Sequence, residues 1–380
     1  MAAGVAPAAA NLANRRPAPY GQPNRGPRRA LAVPSRRPAR PTIRDVADLA
    51  GVALGSASRV INGHANVGED VRDKVLRAIA QLGYQPNSAA QSMRTRATGL
   101  VACVVPDIQN PLYAAVLGAA EAALSEADYT MLAAGTGWSS ERELKLIETF
   151  GRRRVDGVIA VTTDEGNPAL HAAYAAMGAP LVLLEREAPI PLAGMVASDQ
   201  AQSLHAATTM LLDLGHRRIA LMTSPQHNRS GRERVTGYRA AFTERDLPVD
   251  EDLVFGEAQT AEAAHHATRA ALGRRHAPTA IITAGDRSLG GVLRAIRESG
   301  RRIPRDISVV SWGDGDLAQL VDPPITAIRY DANEIGTEAV RILLAVLKGD
   351  GAVPPGQRLL VPTELILRGS CAAPPGDAPS

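Results

Sequence analysis

Chemistry in a protein requires particular side chains at particular spacings, and this chain of 380 residues offers few such sets. Its two cysteines, Cys103 and Cys371, cannot make a disulfide framework or a four-ligand zinc site, which suits a reducing compartment. His265-His266 and His276 lack metal-ligand spacing with carboxylates or cysteines; a solvated helix face is their expected setting, and no metal is expected. Gly135-Thr136-Gly137-Trp138-Ser139-Ser140 lies between a predicted strand and a predicted helix, as a dinucleotide-binding turn would. Its last position is serine, however, and no acidic residue closes a strand about twenty residues further on. No Gly-x-Ser-x-Gly elbow or Cys/His pairing supplies a nucleophile, so neither an enzyme nor a cofactor is expected. What remains is a set of arginines, side chains whose forked donor fits O6 and N7 of guanine in the major groove of DNA; Arg59, beside Ser58 in a short predicted helix, is one of them.

The charge distribution favours such a partner. The formal net charge of +3 hides an asymmetry: residues 1–98 hold 15 Lys/Arg and 5 Asp/Glu, whereas residues 99–380 hold 27 and 34. A front end of +10 on a body of −7 suggests a polyanion-binding module attached to something else. Residues 1–40 carry seven prolines, eight arginines and no acidic residue. They cannot bury enough apolar surface to offset their chain entropy and are predicted to be disordered. A transit peptide, an arm attracted to nucleic acid and a segment without consequence all remain open for them. The longest uncharged apolar stretch, Ala169 to Leu184, is interrupted by Gly178-Ala179-Pro180 and reads as a helix followed by a strand, too short to span a bilayer. The N-terminus has no continuous apolar core of the signal-peptide kind, so a cytoplasmic protein without a membrane partner is expected.

The elements that must hold Arg59 begin at Thr42. Thr42-Ile43-Arg44-Asp45 reads as a capping box, and Ile43, Val46, Ala47 and Ala50 follow at helical spacing up to Gly51. A second helix over Leu54 to Asn62 turns Ala57, Val60 and Ile61 inward. A third, from about Glu69 to Leu82, sets Val71, Val75, Leu76 and Ile79 on one face and ends at Gly83. Two short helices joined by a glycine-containing turn form the helix-turn-helix pattern. Beyond residue 99 the apolar runs Leu100–Val105, Gly157–Val161, Leu181–Leu184, Ile219–Met222, Ala280–Thr283 and Ser308–Trp312 alternate with helical segments. That spacing predicts an α/β body of parallel sheets with crossover helices, and ligands of such sheets sit at the carboxyl ends of the strands.

Thr42-Ile43-Arg44-Asp45-Val46-Ala47, Ala50-Gly51-Val52, Ser58-Arg59-Val60-Ile61-Asn62 and Leu82-Gly83-Tyr84-Gln85-Pro86-Asn87 resemble, in order and spacing, the signature of the lactose-repressor (LacI) family of transcriptional regulators. The body resembles the family's core at Val105-Pro106-Asp107-Ile108-Gln109-Asn110-Pro111, Arg154-Val155-Asp156-Gly157-Val158-Ile159, Leu214-Gly215-His216-Arg217-Arg218-Ile219 and Asp322-Pro323-Pro324-Ile325-Thr326. The resemblance runs from about Thr42 to Ser370. It implies an N-terminal helix-turn-helix DNA-binding domain plus a periplasmic-binding-protein-like core of two doubly wound parallel-sheet subdomains. The corresponding limits are a tail over 1–40, a helix-turn-helix domain over 41–86, a hinge helix and linker over 87–98, a core over 99–370 and a disordered tail over 371–380. Subdomain one takes residues 99–197 and 330–352, and subdomain two takes 198–329 and 353–370. The chain is expected to cross between them near Met195–Asp199, Arg329–Asp331 and Gly351–Arg358.

The resemblance also implies roles. Arg59 reads a base, while Leu54 and Gly55 contact a thymine methyl or admit the backbone. Ser56, Ser58 and Asn62 position the helix on phosphates, and Thr42 belongs to the same surface. Ala53 stands where the family usually has serine, which removes one capping or phosphate contact. Asn87, Ala90 and Met93 belong to a hinge helix that orders on DNA, with Met93 as the apolar wedge in the minor groove. In the core, Glu185, Arg234 and Asp286 match ligand-gripping positions, and two acceptors with one forked donor suit a polyhydroxylated molecule such as a sugar. Asn110, Tyr113 and Trp312 join them. Gln259 stands where members often place a stacking aromatic, Gly285 replaces an asparagine and Gly313 an aspartate, so a more polar pocket, less suited to flat rings, is expected. The implied function is a homodimeric repressor of operator DNA under control of a small carbohydrate-like effector. No heptad leucines follow Ser370, so nothing predicts a tetramer. The alternative, a solute-binding protein of a transport system, would need an export signal and no helix-turn-helix.

Overall fold

The computed structural model describes residues 41–63, 66–84, 97–191, 194–349 and 356–375. They fall into two units, divided between Asn87 and Ser88.

In the first unit, α1 (Ile43–Ala50) starts at the expected capping box: the Thr42 N–H donates to Asp45 Oδ2 (2.7 Å), and the Asp45 N–H donates back to Thr42 Oγ1 (3.4 Å). Gly51 ends it in the left-handed conformation (φ 65°), where a Cβ would be strained. α2 (Leu54–Ile61) and α3 (Glu69–Leu82) complete the unit. Its innermost residues are small: Val46, Ala47, Ala57, Val60, Val75 and Ala78. Short side chains let three short helices approach closely enough to exclude water. Leu76, placed inward by its spacing, is 51% exposed; Ala78 occupies the buried position instead. A leucine there would hold the helices apart.

The second unit contains two six-stranded sheets. The first runs β2 (Thr130–Gly135), β1 (Leu100–Val105), β3 (Gly157–Ala160), β4 (Leu181–Leu184), β5 (Gly194–Ser198) and β11 (Gln357–Val361), all parallel. The second runs β7 (Val254–Phe255), β6 (Ile219–Met222), β8 (Ala280–Ile282), β9 (Ser308–Trp312), β10 (Thr326–Tyr330) and β12 (Thr363–Ile366), with only β12 antiparallel. Helices cover both faces of each sheet, as parallel strands require. The pleat sorts the side chains. In β1, Val101, Cys103 and Val105 meet α4 (Pro111–Glu126) and α12 (Ala332–Lys348), whereas Ala102 and Val104 meet α5 (Ser140–Arg153) and α6 (Pro168–Met177). In β6, Ile219 and Leu221 face α7 (Gln200–Asp213) and α8 (Arg229–Thr243), while Ala220 and Met222 face α9 (Ala261–Leu272), α10 (Asp286–Glu298) and the short α11 (Asp316–Leu320). The helix pairs touch backbone to backbone. A Cβ on Gly237 would lie 2.0 Å from the Ala201 carbonyl oxygen, and one on Gly291 would lie 2.0 Å from that of Ala261.

The chain crosses between the sheets after β5, after β10 and at Pro362. The third crossing corrects the expected Gly351–Arg358, and with it the assignment of 353–370 to subdomain two. β11 pairs with β5 (Leu359 opposite Val196), and Val361 is buried under α12, so residues 357–361 complete the first sheet. Pro362, which has no N–H for the ladder, then separates β11 from β12. Residues 371–375 are not a loose tail either. The Ala372 N–H donates to Ser308 Oγ (3.1 Å), and its carbonyl lies 2.9 Å from His216 Nε2. His265 is likewise buried and bonded to Glu298 (2.7 Å), so it faces α10 rather than solvent. No helix among the described residues is long and apolar enough to cross a membrane.

Candidate functional site

Two surfaces carry the residues singled out from the sequence. On the first unit, the outward face of α2 presents Leu54, Gly55 and Arg59, all exposed, with Ser56 and Ser58 half-buried beside them. Ala57 and Val60 anchor the opposite face. Arg59 forms no ion pair among the described residues, and its guanidinium points away from the small core. Ala53 leaves the start of α2 without a side-chain cap, and the Ser56 N–H turns to the Ala53 carbonyl (2.9 Å) instead. Asn62 is turned back on its own helix, donating from Nδ2 to the Ser58 carbonyl (2.5 Å) and to Ser58 Oγ (3.2 Å). Thr42 is held in the capping box, where its hydroxyl donates to Asp45 Oδ2 (2.8 Å). Asn87, Ala90 and Met93 lie outside the described residues.

On the second unit, all seven expected effector residues line one cavity at the carboxyl ends of the strands: Asn110, Tyr113, Glu185, Arg234, Gln259, Asp286 and Trp312. Asn110 caps α4 through Oδ1, which accepts from the Leu112 N–H (3.1 Å), and Tyr113 follows in the first turn. Glu185 leaves β4 in a left-handed conformation (φ 55°) that turns its carboxylate back over the strand ends. There it accepts from the Ser198 N–H and hydroxyl (both 2.7 Å) and from Gln200 Nε2 (2.8 Å). Arg234, on α8, is 6% exposed. Its Nε donates to Gln200 Oε1 (2.6 Å), Nη1 donates to the Ala284 carbonyl (2.8 Å), and the guanidinium lies 4.1 Å from the Trp312 ring centroid. Burial pulls its pKa down to about 10, which still leaves it charged at neutral pH. Asp286 opens α10 and accepts from the Gly315 N–H (3.3 Å). Burial pushes its carboxyl above the ordinary range; Asp314 and Asp316 push the same way against that hydrogen bond. The Gln259 amide oxygen is buried without a partner among the described residues, as a group awaiting a ligand donor would be.

The expected pocket, more polar and less suited to flat rings, has more aromatic lining than Tyr113 and Trp312 alone. Trp138 and Tyr330 join Tyr113 and Trp312 on the lining, and the rings of Trp312 and Tyr330 stand 5.7 Å apart. The aromatic surface comes from strand ends, from the turn after β2 and from the first turn of α4, not from the position of Gln259. Trp138 sits in the glycine-rich turn considered above for a nucleotide, at φ 62°. Arg186, Gln200 and Ser230 were not singled out either, and the structure gives them the polar wall. Arg186 donates to the Thr162 and Glu185 carbonyls (3.1 and 2.9 Å) and to Ser230 Oγ (2.9 Å). The available signal was local: Arg186 directly follows Glu185, and Gln200 opens the helix after the first crossing.

The arrangement can hold a neutral, hydroxyl-bearing molecule, with charged and amide groups meeting its polar edge and rings meeting its apolar faces. Comparison with known proteins agrees with both surfaces. Residues 42–87 match the bacterial regulatory proteins of the lacI family, and residues 208–371 match a periplasmic binding protein-like domain. The HTH-type transcriptional regulator CelR of Thermobifida fusca is 35% identical over 338 residues, 87% of this chain and 98% of that protein. MalR of Streptomyces coelicolor is 32% identical over 341 residues, 88% and 97% of the two chains. Among solved structures, a transcriptional regulator CelR–cellobiose complex matches with 34% identity and a TM-score of 0.66, covering 87% of this chain and 100% of that one. The lac repressor dimer bound to operator and the anti-inducer ONPF matches with 27% identity and a TM-score of 0.75, covering 88% and 99%. With a relative at this identity spanning both units, the chain belongs to the LacI family of bacterial transcriptional regulators.

Proposed function

We propose that this chain is a cytoplasmic, homodimeric repressor that binds double-stranded operator DNA in a sequence-specific manner and answers to a carbohydrate-like effector in the core cleft. The observation that carries the effector half is the cavity itself, where Arg234 stands over Trp312 with Glu185, Asp286 and Gln259 around it. A sugar offers hydroxyls to the carboxylates and the guanidinium, and apolar C–H faces to the rings. Because a CelR structure holds cellobiose, that disaccharide is the first effector to try. The DNA half rests on the open face of α2, with Arg59 reading guanine, Leu54 and Gly55 against base edges, and Thr42, Ser56, Ser58 and Asn62 near phosphates. Asn87, Ala90 and Met93 are assigned to the hinge. The matching limits are a reading head over 41–86, a hinge over 87–98 and a core whose first subdomain regains residues 357–361. A transport solute-binding protein has no use for the first unit, and no catalytic step is assigned.

The test is operator selection from random DNA with the full chain, followed by fluorescence anisotropy on the selected site while cellobiose and related oligosaccharides are titrated. The expected outcome is a near-palindromic site whose affinity changes with one of these ligands. A protein with no sequence preference would overturn the reading.

A further inference from the structure

α8 carries Ser230 and Arg234 into the cavity, yet its first turn is held by the other subdomain. The N-cap residue Asn228 makes no side-chain hydrogen bond to its own helix. It reaches instead to the loop after β3: Oδ1 accepts from the Glu165 N–H (3.2 Å), and Nδ2 donates to the Thr163 carbonyl (3.3 Å). Glu165 returns the interaction. Both carboxylate oxygens lie 2.8 Å from the Arg229 nitrogen and accept its N–H. Oε2 also accepts from Arg232 Nη2 (3.1 Å), and Oε1 accepts from the Glu187 N–H (3.2 Å). This is the logic of a capping box, with the carboxylate arriving from 64 residues away in the chain and from across the cleft. Glu165, Asn228 and Arg229 are all buried. A carboxylate at a helix N-terminus, shielded from water and accepting several N–H bonds, is a strong tie. The other ion pairs across the cleft are longer: Arg229 to Glu185 (3.6 Å) and to Glu187 (3.9 Å), Arg232 to Glu187 (3.6 Å), and, away from α8, Arg287 Nε to Asp107 Oδ2 (3.5 Å), which joins side chains 37% and 27% exposed. Half-exposed pairs of that kind hold little.

We propose that Glu165 is a positioning residue, which by capping α8 from the opposite subdomain fixes the closed arrangement in which Arg234 and Ser230 face the cavity. It never touches the effector. Opening the cleft at α8 strips a helix of its cap and exchanges the carboxylate's N–H partners for water, so this contact weighs on the open–closed balance beside the Arg186–Ser230 bond (2.9 Å). The inference rests on the effector reading only for its consequence, and its test needs neither effector nor DNA.

The experiment is single-molecule fluorescence transfer on the full-length protein, with dyes on cysteines introduced at exposed Glu121 on α4 and Arg269 on α9 in a Cys371→Ser background. Labelled chains are diluted into unlabelled protein so that each particle reports one chain. Glu165→Gln and Asn228→Ala should each enlarge the open population several-fold to about tenfold, the factor that loss of a cap represents. The double variant should open no further than either single variant, because the two residues act as one box. Glu165→Asp should restore part of the closed population, and Asp107→Asn should leave the distribution close to wild type. If Glu165→Gln does not fold, Asn228→Ala tests the same contact with the carboxylate intact. Unchanged distances in both variants, or larger opening in Asp107→Asn, would overturn the proposal. Adding cellobiose to wild type then separates the two readings: a wild type that closes on cellobiose, with variants identical to it, sinks the latch and spares the effector.

Discussion

Two arginines carry the function proposed here, and their settings are opposite. Arg59 is exposed on α2 and owes nothing to the fold beyond a rigid helix under it, so its removal should cost binding and not stability. Arg59→Ala is expected to lose roughly 1–3 kcal/mol of specific operator affinity and the preference for one guanine per half-site. Anisotropy on the selected site and on its guanine-substituted version measures both, and equal affinity of mutant and wild type for the selected site would remove the base-reading role. Arg234 is buried, and its two hydrogen-bond acceptors in the structure, Gln200 Oε1 and the Ala284 carbonyl, are both neutral. Only a planar fork can reach two acceptors in different directions while stacking on Trp312. Arg234→Lys is therefore expected to abolish the effector response as fully as Arg234→Ala, with operator binding in the absence of effector within about threefold of wild type, since the site lies in the core. Calorimetric titration of cellobiose beside anisotropy separates these outcomes; a lysine variant that responds at wild-type concentrations would mean that charge alone suffices.

At the scale of elements, helix contacts and one buried histidine decide what the fold tolerates. α8 meets α7 at Gly237, where a Cβ would stand 2.0 Å from backbone that cannot rotate away. Gly237→Ala should destabilise the second unit by about 1–3 kcal/mol or more through overpacking, despite alanine's better helix propensity, and should displace the helix that carries Arg234. Urea unfolding checks the sign, which is opposite to the one propensity gives. His216 lies beneath the second sheet between Thr279 Oγ1 (2.8 Å) and Ala372 (2.9 Å). Burial lowers its pKa from the ordinary 6.5; the Ala372 hydrogen bond opposes this, and Arg217 adds to it. Below 6.5 the unfolded chain thus binds more protons than the folded one, so stability rises with pH there. The contribution is complete above the ordinary value and is lost as pH falls through the depressed one. Melting temperature should drop as pH falls below the ordinary value of 6.5, and His216→Gln should flatten part of that drop; identical profiles would clear His216 of the role. These features also mark what the sequence made legible. The capping box at Thr42 and the glycine stop at Gly51 are legible because they are local. The strands are legible as short, nearly continuous apolar runs, because helices cover both faces of each sheet. The third crossing is not, because whether residues 357–361 pair with β5 depends on a strand more than 150 residues earlier. His265 could have been read correctly, since it recurs with Ala264, Thr268, Ala271 and Leu272 on one face of α9. The aromatic lining was hidden because Trp138 and Tyr330 come together only through the tertiary fold.

For the whole molecule, the reading head and the cavity lie in different units, so any communication between them is a coupling free energy and must be reciprocal. An effector can alter operator affinity only by binding one arrangement of the core more tightly than another. For couplings in the usual range of about 1–3 kcal/mol, that is a change of roughly 5- to 150-fold. The same factor must then appear in the reverse direction. If cellobiose weakens operator binding by a given factor, saturating operator must weaken cellobiose binding by that factor, measured in the same buffer because the DNA term alone is strongly salt-dependent. Arg59→Ala provides the control. It leaves the cavity untouched, so its cellobiose affinity without DNA should equal that of wild type, while a concentration of operator that saturates wild type no longer shifts it. Titrating cellobiose with and without operator, in wild type and in Arg59→Ala, gives the four numbers. Unequal factors in the two directions would mean that the sugar acts somewhere other than this cavity, or that more than one arrangement of the core binds DNA.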